Sequence, residues 1–325
     1  MLAVKDSESA LWKCKRFWCA FCRNVNNSRW HGARRDRGRT DLPASQPARF
    51  LECRVHRIAP NPGLSGVCAG YESNDWRAQQ LARHLIEWLP DFALTYSELQ
   101  SLGPHNAVNL VGQAALSVYE STNIARRGEL GELLLHVMLR QVFNTLPAIS
   151  KYFYKDSRND TVKGFDNVHV VVEGEDLQLW LGEVKFYTDI GAAIRDVIPE
   201  LIAHTTRDYL RAEFTAITNK IDPSWPHADR LKKLLDRNTS LDEVFRAVCI
   251  PVLLTYDSAV INDYTEVTAA FLAAFEQEVS EHHRDFAGRS LPIGLTIHLF
   301  LFPMKRKADL VLAFDEKLRA CQALA

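Results

Sequence analysis

No apolar run in the sequence reaches about 18 uninterrupted residues, the length that a membrane-spanning helix requires. The longest candidate, Leu291 to Met304, contains His298 and two prolines and reads as a core strand. Charge of one sign is also lacking: 39 basic and 40 acidic residues leave a net charge of −1. That balance excludes a protein that coats nucleic acid by charge alone, though not a local basic groove or a partner that delivers the DNA. Cysteines are few and odd in number, seven in 325 residues, which excludes a disulfide scaffold. Lys13, Lys15 and Arg16 break any apolar stretch of the secretory type near the start. These absences together predict a protein of the reducing cytoplasm.

What remains is a globular composition, 47% hydrophobic and 24% charged, with length for one large domain or two ordinary ones. Three regions separate on pattern. Residues 1–48 form a basic stretch with Trp12, Trp18 and Trp30 interleaved, and little apolar periodicity follows Arg34. This is expected to be a poorly ordered arm; the competing reading is an arm that meets phosphates and stacks on bases. Cys14, Cys19 and Cys22, with Cys53 beyond, have plant-type iron–sulfur spacing. Phe17, Trp18 and Phe21 crowd them, however, so metal binding is disfavoured, as is a zinc site using His31.

Residues 49–125 read as an α+β subdomain. A strand spans Arg49 to Ile58, a loop Pro60 to Gly66, a helix Trp76 to Leu89, a short strand Phe92 to Tyr96, and a helix Val108 to Tyr119. Residues 126–325 form the remaining domain. A buried helix runs from Gly128 to Asn144, with a possible strand at Tyr152 to Lys155. Strands Phe165–Glu173 and Leu177–Tyr187 flank the hairpin signal Gly174-Glu175-Asp176. A helix then spans Ile190 to Ile217, kinked at Pro199. Short helices follow at Ala228–Leu235 and Leu241–Ala247. The chain closes with a strand Val248–Tyr256, a helix Glu266–His283, a strand Leu295–Met304 and a helix Ala308–Ala323. This order is α/β with a mixed sheet flanked by helices, carrying an N-terminal α+β extension.

The chemistry gathers on Gly182-Glu183-Val184-Lys185-Phe186-Tyr187. Side chains two apart share one face of a strand, so Glu183 and Lys185 point the same way from an apolar strand, where unpartnered charges are costly. The hairpin brings Asp166 near Glu183, and Glu132 sits on the preceding helix among Leu130, Leu133, Leu134 and Leu135. Glu129 competes with Glu132 for the inward position. Asp166 and Glu183 are candidate ligands for Mg²⁺ or Mn²⁺, with the Val184 carbonyl as a further donor and Glu132 completing the shell directly or through water. Lys185 would stand beside the attacking water, as phosphodiester hydrolysis requires. Taken singly, each residue has a plain structural reading: an ion pair, a turn aspartate, a helix-surface glutamate. His136 reads as a packed histidine, and His204, Arg207 and Arg211 as a solvated helix face.

At Gly131-Glu132, Gly164-Phe165-Asp166 and Gly182-Glu183-Val184-Lys185 the chain resembles the PD-(D/E)xK nuclease superfamily. Phe165 replaces the usual proline before the motif aspartate. From about residue 50 onward it is more specifically similar to the HamA nuclease subunits of the Hachiman anti-phage defence system, on Arg127 to Glu132, Lys163 to Asp166 and Leu179 to Tyr187. The resemblance implies a restriction-endonuclease-like sheet, a Mg²⁺-dependent DNase and Glu132, Asp166, Glu183 and Lys185 as its catalytic residues. It also implies DNA as substrate and a superfamily-2 helicase subunit, HamB-like, as partner. Two alternatives remain: a stand-alone restriction or repair nuclease, and a catalytically silent module that keeps only the fold and the partner.

Overall fold

The computed structural model describes residues 46–118, 128–149 and 164–325. The strands, in chain order, are β1 (Glu52–Arg57), β2 (Gly63–Cys68), β3 (Tyr71–Glu72), β4 (Asp75–Trp76), β5 (Leu146–Pro147), β6 (Asn167–Glu173), β7 (Asp176–Phe186), β8 (Val248–Asp257) and β9 (Thr296–Met304). The helices are α1 (Ala78–Glu87), α2 (Leu89–Ala93), α3 (Tyr96–Gln100), α4 (Ala107–Val118), α5 (Glu129–Phe143), α6 (Ile190–His204), α7 (Arg207–Lys220), α8 (Ala228–Leu235), α9 (Leu241–Arg246), α10 (Ala259–Asp263), α11 (Ala269–Ala287) and α12 (Lys307–Gln322).

Seven strands make one mixed sheet in the order β1-β2-β9-β8-β7-β6-β5. Its centre, β2-β9-β8-β7, is parallel; β1, β6 and β5 pair antiparallel at the two sides. Parallel strands covered on both faces are apolar throughout, and β8 (VCIPVLLTYD) is buried at every position but its last. The N-terminal strands β1 and β2 belong to this same sheet, because β2 pairs with β9, while β3 and β4 form a separate two-stranded sheet. Residues 46–325 form one compact unit. Helix α5 is the central element of one layer. Leu130, Leu133, Leu134, Leu135, Val137, Met138 and Leu139 are all buried, and each such side chain contributes roughly 1.5–3 kcal/mol by leaving water.

Several expectations from sequence change here. The loop expected at Pro60 to Gly66 gives way at Gly63 to β2, a strand of small residues. A Cβ at Gly63 would collide with the His298 ring on β9, so only glycine lets the two strands lie this close. The strand expected at Phe92 to Tyr96 is instead the end of α2 and the start of α3. Pro90 fits the first turn of α2. Thr95 and Glu98 then form a capping box: Thr95 Oγ1 accepts from the Glu98 N–H at 3.2 Å, and Glu98 Oε2 accepts from the Thr95 N–H at 2.8 Å.

The single helix expected from Ile190 to Ile217 is two. Pro199 lies inside α6 and the break falls at Thr205 and Thr206. Thr205 Oγ1 donates to Leu201 O at 2.7 Å and Thr206 Oγ1 to Ala203 O at 2.8 Å, closing the last turn of α6. The strand considered at Tyr152 to Lys155, and nearly all of the basic arm with its cysteines and tryptophans, lie outside the described residues. Among the described residues no helix is long and apolar enough to cross a membrane.

Candidate active site

Two glycines bring α5 flat onto β7. A Cβ at Gly131 would come within 2.8 Å of Val184 and Phe186, and one at Gly182 within 2.8 Å of Leu135. Gly182, Val184 and Phe186 therefore face α5. Alternation along the strand turns Glu183 and Lys185 to the opposite layer, where α6 lies.

Strand β6 begins at Asn167, opposite Gly182, so the last four residues of β7 extend beyond it. Just before that point the Asp166 N–H donates to Gly182 O at 2.8 Å. The Asp166 carboxylate then accepts the Val184 N–H at 2.8 Å, standing where a longer β6 would have offered a backbone carbonyl. One short hairpin thus sets Asp166 against the Glu183-Val184 peptide.

Glu183 is only 3% exposed. His204 Nδ1, from the last turn of α6, lies 3.0 Å from Glu183 Oε2, and Lys185 Nζ lies 3.7 Å from Glu183 Oε1. Lys185 is also bonded to Glu200, one turn before His204. Burial pushes the Glu183 carboxyl above its ordinary pKa; His204 opposes the rise and Glu200 adds to it. Burial alone would depress the Lys185 ammonium, but Glu200, Glu183 and Asp166 outweigh it and hold its pKa above normal.

An aromatic group closes one side. The His204 ring stacks on Tyr209 of α7 at 4.4 Å between centroids, 14° from parallel. Phe165 meets both rings edge-on, at 5.5 and 6.2 Å. The Phe165 N–H donates to Glu213 Oε1 at 3.4 Å. Burial pushes the Glu213 carboxyl up to about 7, against the pull of that N–H and of Lys220.

Glu132 enters from the α5 layer. It is buried where Glu129 is half-buried, and its backbone carbonyl accepts from the Asn167 side chain at 3.1 Å. That bond ties the start of α5 to the residue after Asp166. The Glu132 carboxylate is not among the groups that the Glu183-Lys185-Glu200-His204 cluster joins. His136 is packed, as expected: its ring bridges His169 Nε2 at 3.1 Å and Asp91 Oδ2 at 2.9 Å.

Sequence reasoning missed Glu200 and Tyr209 and assigned His204 to a solvated face with Arg207 and Arg211. The helix break separates them: His204 ends α6 and turns to Glu183, while Arg211 of α7 donates to Asp236 O and Thr239 O. The available signal was the spacing Glu200 to His204, four residues on one helical face.

Asp166 and Glu183 offer hard oxygen donors. Among the described residues no group of three or more His, Cys, Asp or Glu is arranged to hold a metal ion. Two carboxylates nonetheless suit Mg²⁺, which takes one or two from a protein and keeps several waters. Comparison with known proteins matches the chain to the family described as HamA over residues 48–318, most of its length. No curated protein matches it.

Proposed function

The chain belongs to the HamA family, and from that premise we propose that it is the nuclease effector of a Hachiman anti-phage defence system, cutting DNA with a divalent cation under the control of a helicase partner. The observation that carries this reading is the side-by-side arrangement of Asp166, Glu183 and Lys185 at the overhanging end of β7. Asp166 and Glu183 would hold Mg²⁺ or Mn²⁺, with Glu132 and the Val184 carbonyl available to the wider shell. A cation bound there supplies Lewis acidity toward the scissile phosphate and a water of lowered pKa. Lys185 offsets charge that builds on the phosphoryl oxygens. His204 holds the Glu183 carboxylate in one orientation and Glu200 does the same for the Lys185 ammonium.

Control by a partner agrees with the charge of the chain. At a net charge of −1 it has little global attraction for DNA, and its sequence has no G-x-x-x-x-G-K-[ST] run to couple it to ATP. Capture of DNA and use of ATP then fall to a superfamily-2 helicase.

The test is cleavage of linear duplex DNA by the full chain, alone and with its co-expressed helicase, with and without ATP, in Mg²⁺ or in EDTA. Cleavage is expected only with the metal, and it should rise when the partner engages DNA with ATP. Undiminished cleavage in EDTA contradicts the metal site. Full activity of the chain alone, indifferent to the partner, supports a stand-alone nuclease instead.

A further inference from the structure

We propose that Lys307 is a positioning residue for Lys185: it grips the Phe186 carbonyl, one residue beyond Lys185, and so sets where that ammonium stands at the open end of β7. This deepens the nuclease reading and rests on it.

The backbone groups of β7 turn alternately to its two sides, and each needs a partner. Lys185 pairs with Leu254 of β8, and Tyr187 O, two residues on, accepts from Thr255 Oγ1 at 3.0 Å. Gly182 and Val184 turn the other way, toward β6. Gly182 O accepts the Asp166 N–H, and the Val184 N–H goes to the Asp166 carboxylate. Phe186 is next in that series, and there β6 no longer runs alongside. Its carbonyl has no strand to meet. Lys307 Nζ supplies the donor. Asp166 and Lys307 therefore hold the backbone on either side of Lys185.

Lys307 is itself anchored at both ends. It is the first residue of α12, and its N–H donates to Asp257 Oδ1 at 2.7 Å at the end of β8. The Asp257 N–H in turn donates to Thr188 O at 3.0 Å, just beyond β7. The base of the side chain is thus fixed to the strand ends that flank Lys185. Its ammonium lies over the Phe186 ring, 4.4 Å from the centroid. Burial pushes that ammonium below its ordinary pKa, and Asp257 opposes the shift. A charge drawn partly out of water and bonded to a carbonyl and a ring face is spent on holding one residue in place. That residue is the neighbour of Lys185.

The test uses full chains with their partner. It compares the wild type, Lys307→Met, Lys307→Arg, Lys185→Ala and the double variant Lys185→Ala/Lys307→Met. Methionine keeps an apolar stem over Phe186 and removes the donor. Lys307→Met should lower kcat for duplex cleavage in Mg²⁺ about tenfold, the usual scale of a misplaced catalytic group. KM and the calorimetric affinity for Mn²⁺ should stay at wild-type values. Lys307→Arg keeps a charged donor and should recover most of the rate. In the Lys185→Ala background, Lys307→Met should cost nothing further, because its effect passes through Lys185. Wild-type kcat in Lys307→Met overturns the inference. So does a loss carried by KM or by Mn²⁺ affinity, which would place Lys307 on the substrate or the cation. A full further loss in the double variant overturns it by showing a route other than Lys185. A Lys307→Met chain that does not fold overturns it too, since the contact then serves the fold. Each of these outcomes leaves the nuclease reading standing. A wild-type complex that does not cut DNA overturns the nuclease reading, and the inference with it.

Discussion

Glu200 and His204 stand one turn apart on α6, and each holds one member of the Glu183–Lys185 pair: Lys185 bonds to Glu200, and His204 Nδ1 lies 3.0 Å from Glu183 Oε2. An i, i+4 pair on a helix thus matches an i, i+2 pair on a strand, each presenting one face. Neither charge of the strand pair is left to solvent or to the other alone, which is what burial in this position demands.

If His204 orients Glu183 for a cation, its removal should weaken the cation more than the fold. His204→Ala is expected to reduce Mn²⁺ affinity by roughly 10–100-fold, the usual cost of losing a group that orients a ligand. The melting temperature should change little. Calorimetric titration of Mn²⁺ into both proteins gives the comparison. Equal affinities would mean that the contact serves packing only.

The hairpin and its charged residues were legible in the sequence for a simple reason. A period of two, a Gly174-centred turn and a 17-residue separation determine which residues of β6 and β7 come abreast. Glu200, His204 and Tyr209 were not legible, because their placement depends on how α6 and α7 pack against β7. Apolar residues spaced by three and four run from Ile190 to Ile202 and resume at Leu210, Phe214 and Ile217, and the polar run His204 to Asp208 between them was read as part of one helix. The break itself falls at Thr206, whose backbone is extended (φ −65°, ψ 149°) and caps the start of α7. β2 was hidden for a different reason: its glycines resemble loop residues until a neighbouring strand needs their missing side chains. The capping box at Thr95 and Glu98 was present in the sequence and outweighs the strand-like appearance of Phe92 to Tyr96.

Close approach of α5 to β7 should be intolerant of added volume. Gly131→Val and Gly182→Val force atoms into Val184, Phe186 and Leu135, where a Cβ alone already comes within 2.8 Å. Each is expected to cost about 1–3 kcal/mol of stability, as overpacking does. Urea unfolding of the two variants checks this; an unchanged midpoint would show that the layer separates freely.

Glu213 should make stability depend on pH. Its carboxyl titrates at about 7 in the folded chain and near the ordinary 4.5 when unfolded. The folded state therefore binds the extra proton between those values, and ∂ΔG/∂pH is negative there. Its stabilising contribution is complete below about pH 4.5, declines as pH rises from there through about 7, and amounts to roughly 3–4 kcal/mol at about 1.4 kcal/mol per unit. Glu213→Gln should flatten that part of a melting-temperature profile between pH 5 and 8. A wild-type profile that is already flat, or that rises, contradicts the assignment.

Cleavage of linear duplex DNA by Lys185→Ala, folded and bound to the partner as the wild type is, tests the nuclease reading most directly. Lys185 pairs with Glu183 and Glu200 and is largely buried, so its removal is expected to change the chemistry rather than the assembly. The predicted result is a fall in cleavage rate of about 100-fold or more, the cost of roughly 3 kcal/mol in barrier, with partner binding intact. Cleavage at the wild-type rate by a correctly folded Lys185→Ala protein would contradict it.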